Sequence, residues 1–496
     1  MDTRTAYLDH LAELAKLNSA VALLTWDEET HMPKKGLVHR AETIGKLSRM
    51  AFELSTADEL GRYLEELETR DDLSEAEAAS VRVVGKEYRR LQAVPADLFE
   101  AFTIAQSKSQ AAWAEAKRAN DFASFRPHLE EIVEYVRQFA DLFGYEECPY
   151  DALLDRYEPG MTSARLRAII EPLRARLVPF VDRLLRDGTA PDAGVLDGSF
   201  PADRQRAMVR TLLAQVGYDF DGGALDDTVH PFTTMIAPGD VRVTNRYLEA
   251  SPLSGLFGAL HEGGHGLYDQ GMADGLYALQ LTDGASFGFH ESQSRLIENQ
   301  IGRSRPFWTF FRPLFVETFP RLQGVSAESL YRAANVVSRS LIRIEADEVT
   351  YNLHIMVRFE LESKLLDRSI EVADLPDLWN EAMERTLGVA PPTDADGVLQ
   401  DVHWSTGLIG YFPSYMLGNL YAAQIMEALR GDIPALDEQV ASGDFAPLLG
   451  WLRDKIHRHG AIHEPGELIR RVTGSDLGSD AFLAYVTEKF SELYGL

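Results

Sequence analysis

Between residues 5 and 26 the apolar positions Leu8, Leu11, Leu14, Ala15, Leu17 and Val21 recur every three or four residues, the signature of a helix with one buried face. The pattern stops at Met32-Pro33, because proline supplies no amide hydrogen and its ring collides with the preceding turn. The same period returns over residues 39–53, 74–91, 96–119 and 125–144, with Asp71-Asp72, Pro95 and Pro127 in cap or first-turn positions. It breaks between 187 and 203, where glycine, proline and aspartate collect in DGTAPDAGVLDGSFPAD and predict a loop or a short strand. A helix follows at 204–216. Residues 230–247, HPFTTMIAPGDVRVTNRY, alternate on both sides of a Pro-Gly pair and predict a β-hairpin. From about Leu253 the helical period resumes with short connections, and Phe307, Trp308, Phe310 and Phe311 fall within it as core or interface. The fold these patterns predict is mainly α with one small β-sheet or hairpin.

Composition narrows the function. The chain has 496 residues, 45% of them hydrophobic, enough apolar material for a large core. Its 77 acidic and 49 basic residues give a net charge of −28, which repels phosphate backbones and anionic membranes, so no nucleic acid and no membrane are expected as partners. No apolar run approaches the roughly 18 residues that span a bilayer, and the start MDTRTAYLDHLAELAKLN lacks the apolar centre of a secretory signal. The single cysteine, Cys148, forms no intrachain disulfide and reads as a buried, inert thiol in a reducing compartment. A cytoplasmic protein is expected. The acidic run 65–77 reads as solvated helix and loop, and His457, His459 and His463 read as a solvated loop.

The chemistry concentrates in LFGALHEGGHGLYDQG. His261 and His265 lie four residues apart, so on a helix both imidazoles leave one face within reach of a single metal ion. With Glu262 beside them this is the HExxH pattern of zinc peptidases, in which neutral imidazoles hold the metal and the carboxylate takes a proton from the water it activates. Gly263 and Gly264 each weaken a helix by roughly 1 kcal/mol relative to alanine, which predicts close approach of another backbone. In FGFHESQSRLIEN, Glu291 lies 26 residues after His265 at the start of a second helical pattern, a candidate third ligand that leaves zinc's fourth position open. The longer pattern HExxHxxGxxH fails, since Tyr268 and Gly271 stand where glycine and histidine are needed. His290, adjacent to Glu291, points elsewhere around the helix and reads as an outer contact or a substrate-pocket group.

HEGGH and HESQ are accompanied, in order, by His230-Pro231-Phe232, DVRVT at 240–244, IRIEAD at 342–347 and GVLQDVHW at 397–404. An opening segment, LNSAVALLTWDEETHMPKKG, adds Trp26, Asp27, Met32 and Pro33. On these blocks the chain resembles the carboxypeptidase Taq family of zinc metallocarboxypeptidases over essentially its whole length. The resemblance implies two helical lobes flanking a deep groove with one Zn2+ at its floor, Co2+ being the alternative metal. It implies a single catalytic unit over 1–496, with a helical part to about 190, a hairpin and metal-binding core over 228–300 and a helical part over 301–496. A homodimer acting on peptide substrates is implied too.

Carried over residue by residue, the resemblance makes His261, His265 and Glu291 the metal ligands and Glu262 the general base. His403 and Tyr411 are the candidate donors to the oxyanion, with Tyr415 the alternative. A terminal carboxylate requires a fixed cation on so acidic a protein, and Arg242 and Arg343 are the candidates, each with an acidic neighbour in sequence, Asp240 or Asp347, that can claim it instead. His230 and His290 complete the substrate-binding positions. The hairpin edge can pair with an extended peptide through main-chain hydrogen bonds, from which broad specificity follows. A metallo-oligopeptidase cutting internally shares this chemistry. A non-catalytic peptide-binding protein is disfavoured by the intact Glu262, and a di-iron protein built on Glu28–His31 and Glu262–His265 leaves the ordered blocks unexplained.

Overall fold

The computed structural model describes residues 2–496. The predicted helices are present: Thr3–Thr30, Leu37–Ser55, Glu75–Ala93, Ala96–Ala119, Phe122–Phe143 and Ala202–Val216. The chain divides into two compact units, each assembled from three segments. One gathers the chain up to Leu91, Asp192–Ala334 and Ile425–Ser475; the other gathers Gln92–Pro191, Asn335–Gln424 and Asp476–Leu496. No helix among the described residues is long and apolar enough to cross a membrane.

In the first unit, Tyr7 and Leu11 of the opening helix pack against Leu60, Leu64, Leu67 and Val81, and the Tyr7 hydroxyl meets Ser80 Oγ at 2.8 Å. Leu17 and Val21 of the predicted stripe are only half-buried. The predicted hairpin is strands β2 (Thr233–Ala237) and β3 (Asp240–Asn245), antiparallel with a bulge between Met235 and Ala237. A strand that the alternation did not reveal, β1 (Gly223–Asp227), pairs parallel with β3, giving the order β1-β3-β2. Val241 and Val243 of β3 are buried. Asn245 at its end donates to the Gly255 carbonyl at 2.8 Å, tying the sheet to the next helix, Pro252–Gly271. The stretch 187–203 holds a single 3-10 turn, Gly194–Leu196, rather than a strand. Phe307, Trp308 and Phe311 are fully buried, and Phe310 packs edge-on against Phe445.

The second unit is built around helix Tyr351–Leu366, buried along its length except at Glu360 and Lys364 and carrying the buried Arg358 and Glu362. The connections beside it correct the expectation of short links after Leu253. Residues 335–350 and 388–412 hold no regular element beyond 3-10 turns. Buried side chains take the place of a backbone ladder there, as buried amides require partners. Asp347 accepts from the amides of Ser338, Val349 and Thr350, each at 3.0 Å. Glu362 accepts from the Trp404 indole at 2.7 Å, the Tyr150 hydroxyl at 2.8 Å and the Gly410 amide at 3.1 Å.

Two histidine expectations and one for cysteine change. His457 and His463 are buried, not solvated, because His457 Nε2 meets Gln293 Oε1 at 3.0 Å and its ring packs on Tyr268. Cys148 is half-buried ahead of helix Pro149–Tyr157 instead of enclosed.

Candidate active site

Helix Pro252–Gly271 carries His261, Glu262, His265 and Asp269. Helix Phe287–Arg295 carries His290, Glu291 and Arg295, and continues into a π-helical segment, Leu296–Gly302, that carries Glu298. The two helices approach closely at Gly264, as the glycine predicts, whereas Gly263 faces Leu213 of the helix Ala202–Val216. A Cβ on Gly264 would stand 2.6 Å from both Gln293 O and Ser294 Cα, and one on Gly263 would stand 2.5 Å from Leu213 Cδ2. Any side chain at 264 would therefore push the helix bearing Glu291 away from the histidines.

This contact brings the three candidate ligands together. Glu291 Oε2 lies 3.5 Å from His261 Nε2 and 3.3 Å from His265 Nε2. Ligand atoms about 2.0–2.2 Å from one tetrahedral ion are about 3.3–3.6 Å apart, so the donor set fits a divalent metal of zinc's size. Among the described residues this is the one group of three or more His, Cys, Asp and Glu side chains with metal-holding spacing. Arg295 Nε holds the other oxygen, Glu291 Oε1, at 2.7 Å.

Each histidine is oriented from behind through Nδ1. His261 Nδ1 faces Glu298 Oε2 at 3.0 Å. His265 Nδ1 faces His290 Nδ1 at 2.6 Å, and His290 Nε2 faces Asp269 Oδ1 at 2.9 Å. With Asp269 and Glu298 as acceptors, both candidate histidines carry their proton on Nδ1 and leave the Nε2 lone pair available. Burial, with His290 and His261 as neighbours, brings His265 down to about 3, keeping it neutral. Burial alone would raise Glu291, yet Arg295 and the two imidazoles hold its carboxyl well below the usual range. Burial raises the Glu262 carboxyl, which the Thr233 hydroxyl of β2 reaches at 2.8 Å. Thr233, Asp269, Arg295 and Glu298 were not among the residues singled out by sequence.

Both candidate arginines have carboxylate partners. Arg242 makes two 2.7 Å bonds to Asp240 and stacks its guanidinium 4.2 Å from the Trp26 ring centre. Arg343 lies on a 3-10 turn, Arg343–Glu345, and pairs at 2.9 Å with Asp401 instead of Asp347. The same Asp401 takes Arg358 at 2.7 Å, so two buried guanidiniums share one carboxylate. His403 and Tyr411 stack with ring centres 5.7 Å apart, and His403 Nε2 lies 3.3 Å from the Tyr415 hydroxyl. Burial brings His403 down to about 4, a neutral imidazole. His230 is exposed on the connection from β1 to β2.

Such a donor set on an HExxH helix, with a buried carboxylate beside it, defines a metallopeptidase. A family model described as carboxypeptidase Taq (M32) metallopeptidase matches residues 6–490, and the chain belongs to that family. Carboxypeptidase 1 of Bacillus subtilis (strain 168) is 41% identical over 490 residues, covering 98% of each chain. Thermostable carboxypeptidase 1 of Thermus thermophilus is 42% identical over 501 residues, again covering 98% of each. The crystal structure of the M32 carboxypeptidase from Deinococcus radiodurans R1 matches with a TM-score of 0.97 at 40% identity, over 100% of both chains. The protein is a metal-dependent carboxypeptidase.

Proposed function

We propose that the protein releases C-terminal amino acids from peptides with broad specificity, using one Zn2+ held by His261, His265 and Glu291. The observation that carries this is the convergence of Glu291 Oε2 on both Nε2 atoms at 3.3 and 3.5 Å, the spacing of a tetrahedral ion's ligands. The bound ion supplies Lewis acidity, making water nucleophilic near neutral pH and polarising the scissile carbonyl. Co2+ suits the same donors.

The chain's own residues supply the rest. Glu262 accepts the proton of the attacking water and returns it to the leaving amine; its burial-raised affinity for a proton suits both steps. Thr233 fixes Glu262 Oε2, leaving Oε1 to act. Tyr411 or His403 donates to the developing oxyanion, with Tyr415 as alternative; a neutral His403 retains one ring N–H for this purpose. For the substrate carboxylate, Arg343 has better support than Arg242. It shares Asp401 with Arg358, leaving that buried cluster a positive charge in excess, whereas Asp240 neutralises Arg242 one to one. His230 and His290 remain substrate-pocket candidates, with His290 already engaged by His265 and Asp269. We further infer a homodimer acting as a single catalytic unit per chain in the cytoplasm, in keeping with the free Cys148.

A peptide offered with a free or an amidated C-terminus, with and without a chelator, tests the reading. Stepwise loss of terminal residues from the free acid alone, abolished by the chelator, is expected. Equal internal cleavage of both peptides would make the protein an oligopeptidase and overturn the carboxylate-binding assignment.

A further inference from the structure

The metal site has an outer frame that the ligand motifs do not contain. Glu298 is buried, seven residues beyond Glu291, within the π-helical segment Leu296–Gly302. π-Helical turns are rare, because the widened turn forgoes regular helix geometry, and are frequent at functional sites. Here the segment is pressed onto the HEGGH helix: a Cβ on Gly302 would stand 2.6 Å from Leu260 Cδ1, one residue before His261. Glu298 then meets three groups. Its Oε2 lies 3.0 Å from His261 Nδ1 and 3.3 Å from Arg295 Nη1, and its Oε1 lies 3.2 Å from Arg303 Nη2. Arg295 in turn grips Glu291 Oε1 at 2.7 Å.

These contacts close a ring behind the ligands: His261 to Glu298, Glu298 to Arg295, Arg295 to Glu291. We propose that Glu298 is the positioning residue of the metal site, orienting His261 directly and Glu291 through Arg295, so that it sets metal affinity without touching the ion. Its carboxylate accepts the His261 Nδ1 proton and makes Nε2 a stronger donor. It also anchors the Arg295 guanidinium that fixes Glu291 with Oε2 toward the histidines. Arg295 and Arg303 flank this carboxylate, one on each oxygen, so its negative charge is matched on both sides. The other histidine is served differently, through the His290 ring and then Asp269, which makes Glu298 the only carboxylate among the described residues hydrogen-bonded to Nδ1 of a ligating histidine.

This inference rests on His261, His265 and Glu291 being the ligands, and the test separates the two. Zinc affinity of the full-length protein is measured by competition with a chelating dye, alongside the melting temperature of the metal-free protein. Wild type is expected to bind one zinc per chain and His265→Ala to lose it; a wild-type chain that takes up no zinc would overturn the ligand reading itself. Given that control, Glu298→Ala is expected to weaken zinc binding about 10–100-fold. Glu298→Gln, which keeps an acceptor of the same length but no charge, is expected to fall between that variant and wild type, and to shift the visible bands of the cobalt-loaded protein. Glu298→Gln carries the test if the alanine variant does not fold. Zinc affinity within twofold of wild type in the folded variants would overturn the proposal. So would an affinity loss matched by collapse of the metal-free melting temperature, which would assign Glu298 to the fold alone.

Discussion

Thr233 shows how much rests on one hydroxyl. It has a single proton and two acceptors on the same residue, Glu262 O at 2.9 Å and Glu262 Oε2 at 2.8 Å, and so pins that side chain to its own backbone. A hydrogen bond to a charged group contributes about 1.5–3 kcal/mol. Thr233→Val, equal in shape but without the hydroxyl, is predicted to lower kcat about 10–100-fold with metal content unchanged, while Thr233→Ser keeps most activity; steady-state kinetics and metal analysis of the same preparations check this. Glu291→Ala is predicted to abolish stable metal binding, and unchanged metal content by mass spectrometry would place the third ligand elsewhere. At this scale the sequence was partly legible. The four-residue spacing of His261 and His265 is local, and a helix converts it directly into a shared face. Thr233 reaches Glu262 from a strand 29 residues earlier, which no local pattern records. Glu298 did leave a trace, since seven residues after Glu291 is two helical turns on the same face.

At the scale of elements, helix contact decides the geometry of the candidate ligands. Gly264→Ala would drive a methyl group to within 2.6 Å of the Gln293–Ser294 backbone, which cannot yield as a flexible side chain can. Overpacking of this kind costs about 1–3 kcal/mol. Gly264→Ala is therefore predicted to lower the melting temperature and also to weaken metal binding by shifting Glu291, whereas Gly275→Ala, with nothing within 4 Å of the added methyl, does neither. Helices with apolar stripes were predicted within a few residues of their ends, because burial of one face is written in their period. Strand β1, GALDD, carries no β-branched residue and no alternation, and exists because β3 offers it an edge. Residues 335–350 and 388–412 were misjudged for a related reason: what orders them is Asp347 gathering amides of its own segment and Asp401 and Glu362 reaching across the chain, not any repeat within them.

At the scale of the whole molecule, buried charge makes stability depend on pH. Glu362 sits at the centre of the second unit, and burial outweighs its three hydrogen bonds to raise its carboxyl from 4.5 to about 7. A raised carboxyl binds its proton more tightly in the folded state. The contribution of Glu362 to stability is therefore full below about pH 4.5, declines as pH rises to about 7 and is level above, by about 3 kcal/mol in all. Glu362→Gln is predicted to flatten that slope in denaturant titrations between pH 5 and 8; an unchanged slope would place the titrating group elsewhere. Glu362 also holds Trp404 and Gly410, which lie just inside the ends of the segment from His403 to Tyr411, so loss of stability and loss of activity as pH rises from about 4.5 to about 7 should run together. The mainly helical fold and the family were legible from composition, period and ordered blocks, while the division into two units of interleaved segments was not: of the crossings between units, only the one at Pro191–Asp192 lies in a marked change of composition, the Gly, Pro and Asp stretch 187–203.

The central claim is that His261, His265 and Glu291 hold a metal whose chemistry Glu262 completes. Metal content and peptide turnover measured together on wild type and Glu262→Gln test it most directly. One metal per chain is expected in both proteins, with turnover nearly abolished in the variant; a Glu262→Gln protein that keeps its metal and still cleaves peptides at the wild-type rate would rule this mechanism out.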